Sequence, residues 1–167
     1  DKLEIIVLGG TVLEYPREYL SYFTTQIFYI CNIYPFIDSR PMLSLEEEQN
    51  INMTADIRII GYTLETRPDG IDHESIHYLR SLGVTRMQIG IQHTNNELLK
   101  IVNRGHTVED SIRALKLLKD SGIKVICHLM PDLPYATKEQ DIEMFNRILN
   151  DPDLVFDEGK IYPMVAT

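Results

Sequence analysis

The sequence predicts an α/β chain built on a parallel sheet, and three features of it carry that expectation. Five short runs rich in β-branched and aliphatic residues each close on Gly, Pro or polar turn residues. Most are separated by amphipathic stretches of about ten residues or more, the length a crossover between parallel strands requires. The composition is that of a globular chain of one core: 167 residues, 19.3 kDa, 44% hydrophobic and 25% charged.

Leu3 to Leu8 reads LEIIVL before Gly9-Gly10, which predicts a buried strand with a turn at its C-terminal end. Pro16 suits the first turn of a helix, and Tyr19, Leu20, Phe23, Ile27 and Ile30 recur at three-to-four spacing as far as about Cys31. Asn32 to Leu43 holds two prolines and no period, so it reads as a loop. Ser44 with Glu47 forms a capping box that opens a short helix to about Ala55, and Arg58 to Leu64 is a strand. Asp72 caps a helix through Leu82 that stops at Gly83, and Arg86 to Ile91 is the third strand. A short helix over about Asn95 to Val102 comes next. Thr107 and Asp110 open another, with Ile112, Leu115 and Leu118 on one face, ending at Gly122. Lys124 to Met130 is the fourth strand, Lys138 to Leu149 a helix, and Gly159 to Pro163 the fifth strand. Periodicity alone leaves two architectures open, a doubly wound sheet and a barrel or partial barrel.

The net charge of -9 repels a phosphate backbone unless basic residues cluster, so composition gives no support to nucleic-acid binding. No run approaches the roughly 20 apolar residues of a membrane span, and the N-terminus has no signal-peptide pattern, which fits a cytoplasmic protein, or a nuclear one in a eukaryote. Cys31 and Cys127 stand apart with no ligand spacing around them and read as buried thiols, so no metal ligand is assigned within the chain. The missing initiator Met and the abrupt end at Val165-Ala166-Thr167 suggest a piece of something longer.

In either architecture, chemistry belongs at the strand ends. There the sequence places Gly9-Gly10-Thr11, then Glu65-Thr66-Arg67-Pro68-Asp69, then Gln92-His93, then Asn103-Arg104-Gly105-His106-Thr107, and finally His128-Leu129-Met130-Pro131-Asp132-Leu133-Pro134. Each has a plain alternative taken singly: a Gly-Gly is most often a turn, a loop Glu-Arg pair a solvated one, a strand-end His a satisfied polar residue. Together, IIVLGGT, SLEEEQNIN, TLETRPD, LGVTRMQIGIQ, VNRGHTVEDSIRALKLLKDSGIKV, HLMPDLP and KIYP span nearly the whole chain. In this combination the chain resembles the radical S-adenosylmethionine core of the catalytic subunit of the elongator complex, the family that modifies carbon 5 of the wobble uridine of tRNA. NRGHT, MPDLP and ETRPD are its most specific parts.

The resemblance implies a partial TIM-like (β/α) barrel of about five parallel strands with covering helices. S-adenosylmethionine would lie across the strand ends, its methionyl part on the unique iron of a [4Fe-4S] cluster. Gly9, Gly10 and Thr11 would let backbone groups approach the methionyl amino group. Glu65 would receive an ammonium or hold Arg67 or Arg104, and Arg104 offers the fork that matches the methionyl carboxylate. Gln92 and His128 would bond a ribose diol, and Met130 with Pro131 would pack on adenine. Lys160 and Tyr162 would face the substrate side, and His106 is expected beside the mouth. The family's three cluster cysteines precede the Gly-Gly strand and its acetyltransferase domain, which takes acetyl-CoA, follows the last one. The resemblance therefore makes residues 1–167 part of a radical SAM domain, with the cluster ligands and the acetyl-CoA site outside it, and tRNA and elongator-type subunits as partners. Two other readings are open: a degenerate, non-catalytic barrel for RNA binding or assembly, and a radical enzyme with another substrate. Tyr135-Ala136-Thr137 stands where the family usually has a Gly-containing turn, and Tyr34 to Met42 looks shortened or diverged.

Overall fold

The computed structural model describes residues 1–36 and 40–164. Its elements are β1 (Lys2–Ile6), α1 (Arg17–Ile33), α2 (Leu45–Asn52), β2 (Arg58–Thr66), α3 (His73–Ser81), β3 (Arg86–Gln92), α4 (Asn96–Ile101), α5 (Val108–Asp120), β4 (Lys124–Leu129), α6 (Lys138–Asn150) and β5 (Glu158–Ile161). Single 3-10 turns stand at Val12–Glu14, Pro68–Gly70 and Pro152–Leu154. The middle of the stretch around Tyr34 to Met42, and the last three residues, lie outside the described residues.

The helix starts follow the capping chemistry of the sequence. Ser44, Asp72, Thr107 and Thr137 each accept the N–H of the residue three further on, whose side chain returns a bond to the cap, so α2, α3, α5 and α6 all begin with capping boxes. Pro16 lies one position outside its expected place, as the cap of α1. The strands pair in the order β1-β2-β3-β4-β5, every pair parallel. A doubly wound sheet would reverse its order at a switch point; the unbroken sequential order is that of an opened barrel, and the strands curl as a half-barrel with helices outside.

The alternation within the strands separates two faces. Tyr62, Leu64, Met87, Ile89, Ile91, Val125 and Cys127 point outward into a core completed by Ile76 and Leu79 of α3 and Leu115 and Leu118 of α5. The other parity turns Glu65, Gln88, Gln92, His128 and Lys160 inward, with Glu65 opposite Gln88 and His128 opposite Lys160 in the register. A parallel sheet with polar residues on one parity of its central strands is therefore a scaffold for a site.

Strand β1 corrects the sequence expectation. It ends at Ile6, two residues early, and instead of being buried it lies at the sheet edge, where among the described residues only β2 pairs with it and Ile6 keeps 49% of its surface in solvent. An apolar run reports that a segment is a strand, and does not report whether a neighbour covers it. At the other edge, β5 ends at Ile161 rather than Pro163, since a proline cannot donate to the ladder. Cys31 in α1 and Cys127 in β4 are buried free thiols.

Candidate functional site

The C-terminal ends of all the strands open on one side, as parallel pairing demands. A cavity of about 470 Å³ lies there, within the range of small-molecule sites. Gly10, Thr11, Glu65, Arg67, Gln92, Arg104, His128, Met130 and Tyr162 line it, and so do Thr66, Gly90, Val102 and Asn103, which sequence reasoning had not singled out.

The loop after β1 enters the cavity through Gly9 and Gly10, whose φ angles of 115° and 126° are backbone conformations that L side chains rarely adopt. A Cβ would meet nothing within 4 Å at either position, so it is the backbone conformation that calls for glycine there. Gly9 itself lines a smaller adjoining apolar pocket with Tyr15, Tyr19 and Phe23, and Glu65 and Gly10 belong to both.

Arg104 dominates the electrostatics. Its backbone N–H is held by the Leu99 carbonyl at 2.9 Å, which fixes the residue at the end of α4. Among the described residues its guanidinium has no ion pair or hydrogen bond, and its Nε is buried without a partner. Burial, and then the charge of Arg67, push its pKa below the usual arginine value. The pairing of Arg104 with Glu65 that the sequence allowed is not made, nor is one between Glu65 and Arg67. Arg67 is clamped in both arms by Asp69, at 2.6 and 3.0 Å, because the two lie on the same tight turn. Arg104 is left as a cation facing a polar cavity, with no acid paired to it among the described residues.

Glu65 instead faces His128, 3.6 Å from its Nδ1. The opposite nitrogen, Nε2, donates to Gln88 Oε1 at 2.7 Å, an oxygen that also accepts from Lys160 Nζ at 3.0 Å. Since Lys160 can only donate, Oε1 is the carbonyl end of Gln88 and Nε2 of His128 carries the proton. Burial, the largest effect, lowers the His128 pKa, while Glu65 raises it and Lys160 lowers it, so its net shift favours the uncharged ring. Tyr162 packs edge-on against the ring at 5.4 Å. Gln88, fully buried, is the hub of this cluster. A Gln at an inward position of a strand whose outward positions are all aliphatic was the sequence signal for it.

Gln92 ends β3 in a left-handed conformation, φ 71°, and its carbonyl accepts from the Met130 N–H at 2.7 Å, which ties the ends of β3 and β4 together. Its Oε1 and the Thr66 Oγ1 are buried without partners. Gly90 explains how Gln92 and Arg104 come so close: a Cβ there would lie 2.9 Å from Gln92 Nε2 and 3.4 Å from the Arg104 guanidinium.

Four residues named in the sequence analysis stand elsewhere. Lys160 is held by the Gln88 oxygen and does not line the cavity. His106 is buried with its Nε2 on the Ile91 carbonyl at 3.1 Å and lines a separate pocket beyond Asn103. His93 turns away, bonded to Asp141 and to the Asn95 N–H. Pro131 is absent from the lining as well, and Met130 alone of that pair reaches the cavity.

The donor set fits an elongated, zwitterionic, hydroxyl-bearing ligand. Arg104 suits a carboxylate, Glu65 an ammonium, the orphaned Gln92 and Thr66 oxygens hydroxyl donors, and Met130 an apolar ring. It does not fit an iron–sulfur cluster. Among the described residues no three His, Cys, Asp or Glu are grouped to hold a metal, and burial pushes both thiols above the usual cysteine range.

Comparison with known proteins identifies the family and the fold. Residues 2–148 match the Radical SAM superfamily. The tRNA uridine(34) acetyltransferase of Methanocaldococcus infernus is 44% identical over 99% of this chain and 30% of its own length. Elongator complex protein 3 of Homo sapiens is 36% identical over 99% of this chain and 29% of its own. The solved structure of archaeal Methanocaldococcus infernus Elp3 with an N-terminal deletion superimposes with a TM-score of 0.91 at 43% identity, over 98% of this chain and 37% of that one. The chain thus spans about 30% of the length of the curated relatives it matches. With most of its residues matched and its sheet in the expected order, the chain belongs to the radical SAM superfamily.

Proposed function

We propose that residues 1–167 are the S-adenosylmethionine-binding core of an enzyme that modifies carbon 5 of the wobble uridine of tRNA with an acetyl unit from acetyl-CoA. The observation that carries the cofactor half of this reading is Arg104: a half-buried guanidinium without an anion, beside the orphaned oxygens of Gln92 and Thr66, in the cavity at the strand ends. The names of the relatives support the other half, the tRNA uridine substrate and an elongator-type assembly.

Bound S-adenosylmethionine would supply radical chemistry at this site, and the residues here would hold and orient it. Arg104 binds the methionyl carboxylate and Glu65 its ammonium, with the Gly9-Gly10 backbone approaching the same end. Gln92 and Thr66 accept from the ribose, His128 offers Nδ1 to the same region, and Met130 covers the adenine. Tyr162 limits water on the β5 side, and Lys160 acts through Gln88 as a positioning residue for His128. The cluster ligands and the acetyl-CoA site lie outside these residues. No helix among the described residues is long and apolar enough to cross a membrane, in keeping with work on tRNA in the cytoplasm, or in the nucleus of a eukaryote.

The test is made with the full-length protein, reduced anaerobically with S-adenosylmethionine, acetyl-CoA and a tRNA bearing a wobble uridine. Mass spectrometry of the digested tRNA should find the wobble uridine converted to its carboxymethyl form only when all components are present. Cofactor cleavage with the uridine untouched would overturn the substrate assignment.

A further inference from the structure

A second cavity, of about 620 Å³, adjoins the first and shares Val102, Arg104 and Met130 with it as common walls. Whatever occupies the second therefore lies against whatever occupies the first. Its remaining lining is apolar, Leu133 and Pro134 among it, and ends in Tyr135.

Tyr135 is an unusual residue for such a rim. The residue is 80% exposed, and its ring stacks on no other aromatic ring among the described residues. Its φ of 70° is left-handed, a conformation an aromatic residue adopts at a cost, and the turn around it is closed by the Ala136 N–H on the Leu133 carbonyl at 2.8 Å. The chain thus presents a large flat side chain at the mouth from a backbone better suited to glycine. A planar face with apolar walls beside it, and Arg104 as the one cation of the lining among the described residues, suits a flat and largely uncharged ring better than a charged group.

We propose that this second cavity receives the target nucleobase of a single-stranded RNA segment, stacked on Tyr135, and so delivers it against the cofactor cavity. The inference rests on the tRNA reading above and adds to it the residue that holds the base. Stacking tolerates any base, so Tyr135 sets the position of the base, while its identity is read by other groups.

The experiment compares two labelled anticodon stem-loop RNAs binding to the full-length protein, one with uridine and one with an abasic site at the wobble position. The native protein should prefer the uridine RNA by about tenfold, the scale of one base–aromatic stack. Tyr135→Ala should erase that preference while leaving the affinity for the abasic RNA unchanged, and Tyr135→Phe should keep it. Because Tyr135 is exposed, neither change should disturb folding, and circular dichroism checks this. A preference that survives Tyr135→Ala, or none in the native protein, overturns the stacking role and leaves the tRNA reading standing. Failure of the native protein to bind either RNA overturns both.

Discussion

Arg40→Ala should cost about 3 kcal/mol of folding stability, a large part of the margin of an ordinary domain. The cause is Glu48, whose side chain is wholly buried at the start of α2. Arg40 holds both its oxygens at 2.7 Å, the Leu43 N–H donates to one at 2.9 Å and Asn32 Nδ2 to the other at 2.8 Å. Burial raises the Glu48 pKa, but these bonds outweigh it and hold the carboxyl at about 2. Removing Arg40 leaves an ionised group in the interior with only its neutral donors, which is why the loss falls at the lower end of the range for a broken buried pair. Replacing both partners by apolar residues of similar size should restore most of it. The same group predicts a pH dependence. Its folded pKa is depressed below the ordinary 4.5, so its contribution is complete above about 4.5 and disappears as pH falls toward 2. Urea unfolding of the native protein and of Arg40→Ala between pH 7 and 3 measures both; equal midpoints at pH 7 would contradict the account.

Arg104→Ala should weaken S-adenosylmethionine binding tenfold to a hundredfold in the full-length protein. A charge-assisted bond to a carboxylate in a site with little water is worth roughly 1.5–3 kcal/mol. Arg104→Lys should recover part of the loss, because an ammonium restores the charge without the two-pronged fork. Were Arg104 only a surface partner of a neighbouring acid, its removal would change stability by about 0–1 kcal/mol and affinity not at all. Its lack of any acid partner among the described residues already separates it from that case. Folding should be nearly unaffected, since no internal anion loses its counter-charge. Calorimetric titration of the three proteins decides the matter, with unchanged affinity in Arg104→Ala counting against the role.

Much of this was legible from local chemistry. The caps at Ser44, Asp72 and Thr107 are short-range signals and mark helix starts to the residue. Strand ends gathered Glu65, Gln92, Arg104 and His128 because parallel pairing sends every C-terminal end the same way. What was not legible depends on competition among neighbours. Glu65 had two arginines within reach in sequence, and the turn geometry gave Arg67 to Asp69 while the burial of Arg104 left Glu65 to His128. Lys160 has the parity to face the mouth, yet a buried Gln88 oxygen claims its ammonium. The exposure of β1 follows from what does not pack against it, which no periodicity encodes.

Amide hydrogen exchange of the full-length protein with and without S-adenosylmethionine tests the cavity directly. Bound cofactor should slow exchange at Gly10 and Thr11, at Thr66 and Arg67, around Asn103 and Arg104, and at Met130, four segments far apart in sequence that meet at this cavity. Little change should appear in α6, which contributes nothing to the lining of this cavity. Protection confined to other parts of the chain, with these four segments unchanged at saturating cofactor, would contradict the assignment of the cavity.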